Sequence, residues 1–107
     1  IYVGTLPSAL NSTIASHGRA EVDNKRKALN EFLRNSDIFD SVIDFDAMML
    51  DALSGEMKAE FLPNSSTGGP GDKLHPNRAG YSAMAFFIDL PTLTGRKPTI
   101  IRKKKED

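Results

Sequence analysis

The chain reads as part of an α/β fold with a parallel sheet. Three observations carry this reading. Residues 1–5 (Ile-Tyr-Val-Gly-Thr) and 41–45 (Ser-Val-Ile-Asp-Phe) are β-branched and aromatic runs of strand length. Residues 21–35 between them repeat with a helical period, and a second helical pattern follows the second run. Strands separated by helices form βαβ units, in which the strands lie parallel. Two such strands with two helices leave both sheet edges open, and a parallel sheet needs cover on both faces and more strands than that. The expectation is that these residues form about half of an α/β domain, completed by an upstream segment or another chain.

The elements follow in order. Residues 1–5 are the first strand, closed by Leu6-Pro7-Ser8. Residues 6–20 are small and polar without a sustained period, so a loop is expected. Residues 21–35 predict an amphipathic helix. Val22, Leu29, Phe32 and Leu33 fall on one face, with Lys25, Arg26, Lys27 and Arg34 on a solvated opposite face. Residues 41–45 are the second strand, with Asp46 at its carboxyl end. Residues 47–53 suit one or two helical turns, and 54–74 read as loop around Pro63-Asn64-Ser65-Ser66-Thr67-Gly68-Gly69-Pro70-Gly71. Pro76 fits the first turn of a further helix, where its missing N–H is no loss. Tyr81, Met84, Ala85 and Ile88 recur at i, i+3, i+4, i+7 as its buried stripe, and Pro91 ends it. Residues 99–101 suit a brief extra strand. The four methionines, Met48, Met49, Met57 and Met84, read as core filler.

Composition excludes some functions. At 107 residues the chain suits one small domain. No apolar run approaches the roughly 20 residues of a membrane helix, so stable membrane insertion is not expected. Without cysteine, disulfides and thiolate metal sites are ruled out. Net charge is zero but unevenly placed: six of the 14 basic residues lie in 96–105. The domain is therefore expected to span 1–95, with 96–107 as a basic, solvated tail. No aromatics interleave with those basic residues, which argues against a nucleic-acid partner. Asn11-Ser12-Thr13 and Asn64-Ser65-Ser66 are glycosylation sequons, compatible with a secreted protein.

The residues that point to chemistry are Asp72 and His75. In open α/β sheets, sites collect in the loops at the carboxyl ends of strands, ahead of helices. A carboxylate three residues before a histidine can accept its Nδ1–H bond. It then fixes the tautomer, leaves Nε2 free as a base and stabilises the imidazolium during reaction. The same spacing also suits a plain loop in which Asp72 makes an Asx-turn. His17 reads as an exposed loop histidine. Asp44 and Asp46 suit the rim of a site or, more simply, the cap of the next helical turn. A divalent-cation site from Asp44, Asp46, Asp72 and His75 has suitable ligand types but no dedicated spacing.

The stretch "GDKLHPNRAGYSAMAFFIDL", residues 71–90, resembles the C-terminal block of the GDSL-type esterases, or SGNH hydrolases, in which D-x-x-H-P precedes an N-x-x-G-Y-x-x-M-A helix. "KRKALNEFLRNSDIFD" and "FDSVIDFDAMMLD" resemble the segments before that block, and "IYVGTLPS" resembles a preceding strand. The resemblance covers roughly residues 21–90. It implies the C-terminal part of a three-layer α/β/α, flavodoxin-like fold, incomplete in this chain. It also implies carboxylic-ester hydrolysis through an acyl-enzyme, with no cofactor.

In that frame His75 is the general base for a nucleophilic serine and Asp72 orients and charge-stabilises it. Pro76, Asn77, Gly80 and Tyr81 match positions read as structural. The departure lies upstream. The family's serine in G-D-S, its glycine and its asparagine have no counterpart here, and none of the nine serines has a nucleophile context. The expectation is that the N-terminal portion of the enzyme, as a separate chain or cleaved segment, supplies them, and that this chain by itself is inactive. The substrate class is a small-molecule, lipid or acylated-carbohydrate ester, and the resemblance favours an extracellular location over the cytoplasm. The alternative is a non-catalytic interaction module, or pseudo-enzyme, that keeps the scaffold.

Overall fold

A computed structural model describes residues 1–94. The strand expected at 99–101 and the basic segment 96–107 lie outside the described residues. Strand β1 (Tyr2–Gly4) pairs in parallel with β2 (Ser41–Ile43), in the register Tyr2 to Ser41, Val3 to Val42 and Gly4 to Ile43. Backbone bonds from Asp40 N to Ile1 O (2.9 Å) and from Thr5 N to Ile43 O (3.0 Å) continue the ladder at both ends. Helices α1 (Ala15–Gly18) and α2 (Ala20–Asn35) make the crossover, so the β-α-β unit predicted from the pattern is present. The expected loop 6–20 thus contains a helical turn, α1.

Helix α2 corrects the amphipathic reading. Its buried residues are Asp23, Arg26, Asn30 and Leu33, while Leu29 is 44% exposed and Phe32 58% exposed. Arg26, assigned to the solvated face, is inside. The physical reason lies in what the helix covers. Its inner face meets the loop after β1, whose peptide groups need partners. Asn30 supplies them to Leu6 as another strand would: Leu6 N donates to Asn30 Oδ1 at 2.9 Å, and Asn30 Nδ2 donates to Leu6 O at 2.8 Å. An apolar stripe there would leave those groups orphaned, at about 1–3 kcal/mol each.

Beyond β2, Asp44 caps α3 (Phe45–Met49) by accepting from Ala47 N, which agrees with its capping reading. Strand β2 therefore stops at Ile43, and Asp46 lies in the first turn of α3. A 3₁₀ turn (Ala59–Phe61) follows, then α4 (Arg78–Phe87) and α5 (Leu90–Leu93). The apolar core is Met49, Met57, Phe61 and Leu62, with Met48, Ala83 and Met84 packed against it. It joins α3, the 3₁₀ turn and α4.

Two proline expectations are corrected. Pro76 precedes the cap of α4, because Asn77 takes the N-cap: its side chain accepts from Gly80 N at 2.9 Å. Asn77 Nδ2 also donates to Glu60 O (3.0 Å) and Pro63 O (2.9 Å), tying the helix start to the 3₁₀ turn. Pro91 does not end α4, which stops at Phe87 with Ile88 extended; Pro91 lies near the start of α5, where its fixed φ is welcome. The buried stripe is also rotated. Gly80 is buried and Ala83 and Met84 are half-buried, whereas Tyr81 and Ala85 are exposed. A Cβ at Gly80 would sit 2.6 Å from Pro76 Cβ and 3.2 Å from Phe61 Cβ. This close approach turns the Gly80 side of the helix inward. Helix α5 docks back on the sheet through Tyr2 OH, which donates to Thr92 O at 2.6 Å.

Candidate active site

The loop before α4 is built to present Asp72 and His75. Gly71 has φ +86, and a Cβ on it would meet Leu62 O at 2.1 Å. Only glycine lets the chain pass that carbonyl and turn inward. Asp72 is then 3% exposed. Its Oδ1 accepts from Leu74 N at 2.9 Å and His75 N at 2.8 Å, an Asx-type turn that winds the chain back on itself. Its Oδ2 meets His75 Nδ1 at 2.6 Å. The turn and the carboxylate–imidazole pair, alternatives in the sequence, are one structure: the turn delivers the ring to the second oxygen.

The electrostatics favour an ionised Asp72. Burial pushes its carboxyl up, but the His75 backbone N–H, the His75 ring and the Leu74 N–H together outweigh burial and hold it at about 2. An ionised carboxylate only accepts hydrogen bonds, so Nδ1 of His75 carries the proton and Nε2 of the neutral ring presents a lone pair. The His75 side chain is 44% exposed, which leaves it accessible to a reactant. A cavity of about 430 Å³ lies nearby: Leu74 and Pro76, the chain neighbours of His75, line it with Leu6, Met57 and Met84, and the histidine in its wall is His17 rather than His75.

Asp44 and Asp46 lie elsewhere. Asp44 pairs with Arg34 (2.8 Å and 3.0 Å) and accepts from Thr5 Oγ1 (2.9 Å). Asp46 pairs with Arg26 at 2.7 Å and Arg34 at 3.0 Å. Both aspartates thus belong to an ionic network under α2. Among the described residues no three histidine, aspartate or glutamate side chains are grouped to hold a metal ion, so Asp44, Asp46, Asp72 and His75 are not brought together. His17, expected in an exposed loop, is exposed but sits on the last turn of α1 and lines the cavity that Leu74 and Pro76 also line. Ser8 donates to Gly55 O and Ser12 to Asp72 O. Among the described residues no serine hydroxyl is hydrogen-bonded to His75.

Acid should expose these pairings. Arg34 above all, with Thr5 and the Ala47 N–H, also holds Asp44 at about 2 against the opposing effect of burial. An unfolded aspartate titrates near ~3.9. A depressed folded-state value means the stabilisation is complete above the unfolded value and is lost as pH falls through the folded one. Urea midpoints are expected to fall progressively from about pH 5 to about pH 2, with a shallower fall in Asp44→Asn. Midpoints that stay level over that range would contradict the assignment.

No family model matches the chain, and no curated protein matches it. The described residues form a small α/β arrangement with a two-stranded parallel sheet.

Proposed function

We propose that this chain supplies the base half of a serine-type carboxylic-ester hydrolase. The carrying observation is the Asp72 Oδ2 to His75 Nδ1 contact of 2.6 Å, made by a buried carboxylate to a part-exposed ring. The pair has the polarity a serine hydrolase needs. Nε2 takes the proton of a serine hydroxyl as its oxygen attacks the ester carbonyl, gives it to the departing alkoxide, then takes a proton from the water that attacks the acyl-enzyme and returns it to the serine oxygen as the acid leaves. Asp72 holds the ring and balances the charge of the imidazolium. No cofactor enters this scheme.

The serine and the oxyanion-hole donors come, in this reading, from an N-terminal portion of the same enzyme or from a companion chain. Two features support a completing partner. The described sheet has only two parallel strands, and Ile1 (85% exposed), Leu6, Phe32, Leu53 and Phe86 stand in the open. Lipid, acylated-carbohydrate and small synthetic esters are the substrate classes proposed, in an extracellular setting.

Nitrophenyl acetate hydrolysis and labelling by a fluorophosphonate test the proposal. The chain by itself should neither turn over nor label. A longer polypeptide that contains it and a G-D-S serine should do both, and His75→Ala should abolish turnover. Turnover by the 107 residues unaided, or His75→Ala turning over as fast as its parent, would reject it. A longer polypeptide that binds esters without turnover would favour a non-catalytic module.

A further inference from the structure

Asp72 is gripped at both of its ends. Its carboxylate faces the ring of His75. Its main-chain carbonyl accepts Ser12 Oγ at 2.6 Å and Thr13 N at 3.1 Å. Ser12 is buried, and its oxygen also accepts Ile14 N at 3.1 Å, so the hydroxyl cannot swing away without orphaning a second group. One residue beyond Asp72, Lys73 has φ +58, a left-handed conformation that a lysine rarely adopts. That conformation lies inside the turn that brings His75 back over the aspartate. Lys73 Nζ pairs with Glu56 Oε1 at 3.0 Å, and Glu56 Oε2 accepts Asn11 Nδ2 at 2.7 Å. Asn11 is itself left-handed, with φ +64.

The segment 11–13 therefore holds the Asp72–His75 turn at two places, across about 60 residues of chain. One is direct, at the carbonyl of Asp72. The other runs from Asn11 through Glu56 to Lys73. Strained backbone of this kind persists only where its surroundings over-determine it. We infer that Ser12 and Glu56 are positioning residues for His75: they fix the direction of the Asp72 carboxylate and so keep the ring's proton on Nδ1. A role that is only structural would stabilise the loops without selecting a tautomer. The catalytic consequence rests on the proposal that His75 is a base; the claim about the ring does not.

The chain has two histidines, so nitrogen-15 spectra of the labelled chain, at a pH where both rings are neutral, read the tautomer directly. His75 is expected in the Nδ1–H form, with its Nδ1 proton exchanging slowly. In Ser12→Ala, and less so in Glu56→Gln, His75 should shift toward a mixture of the two tautomers. Its Nδ1 proton should exchange several-fold faster, and Ser12→Thr should recover the parent spectrum. Glu56→Gln, at the edge of the loops, guards against a buried variant that merely fails to fold. Folded Ser12→Ala and Glu56→Gln with the parent's tautomer and exchange rate would overturn the inference. A mixed tautomer in the parent itself would overturn both the inference and the reading of Asp72 and His75 as a catalytic pair.

Discussion

Asp72→Asn is expected to lower kcat of the proposed hydrolase by up to roughly 10⁴-fold, with KM little changed. The structure gives the reason. Two backbone N–H groups, of Leu74 and His75, point at one oxygen of the carboxylate. In asparagine the remaining oxygen must take that place, because an amide NH₂ there would face two donors. The NH₂ group is then forced to the position beside His75 Nδ1. A donor facing Nδ1 demands a lone pair on it, so the ring's proton moves to Nε2, the atom that must be vacant to receive the serine proton. The fold and the substrate surface are left as they were. The loss should therefore appear in kcat and, independently, as a reversed His75 tautomer in nitrogen-15 spectra. A variant with kcat within tenfold of its parent would reduce Asp72 to an accessory.

The largest expected loss of stability is in Arg26→Ala, about 3–5 kcal/mol. The Arg26 side chain is 8% exposed and has three partners: Asp23 Oδ1 at 3.0 Å, Asp46 Oδ1 at 2.7 Å and Leu6 O at 2.9 Å. Truncation leaves two buried carboxylates short of a counter-charge and a carbonyl short of a donor. Compensation is partial: Asp23 keeps Lys27 at 3.2 Å, and Asp46 keeps Arg34 at 3.0 Å. That places the effect toward the lower end of the range, still a large fraction of the 5–15 kcal/mol that holds a domain together. The triple variant Asp23→Asn, Arg26→Met, Asp46→Asn should cost less than the sum of its parts, since it removes the charges together with their neutraliser. Urea denaturation of the chain measures both. A drop below about 1 kcal/mol in Arg26→Ala would show that water reaches the network and the burial is only geometric.

What proved legible in the sequence is local. The β-α-β order follows from composition and period within single segments. The Asp72–His75 pair follows from a three-residue spacing inside one turn, where the chain itself brings the groups together. The capping of α3 by Asp44 is of the same kind. Boundaries set by competition were less legible. Pro76 suits a first helical turn, but Asn77 beside it is a better cap, because its side chain bonds Gly80 N and two carbonyls of the neighbouring turn.

The face of α2 illustrates the limit. Hydropathy assigns a helix its inner face on the premise that the interior is apolar. Here the interior opposite α2 is the loop after β1, whose exposed peptide groups require Asn30 and Arg26 rather than Leu29 and Phe32. No window along the chain contains that information, because Leu6 and Asn30 are 24 residues apart. The sequence did not by itself determine α1, the 3₁₀ turn or α5; it determined the β-α-β order with α2 and α4, the parallel sense of the strands and the two residues that face each other across one turn. These depend on interactions within a few residues. The tertiary structure decided which helix faces are buried, that Asp44 and Asp46 belong to a network apart from His75, and that Ser12 holds Asp72. Each of these depends on which unpaired polar groups a distant segment brings up, and burial makes their pairing obligatory.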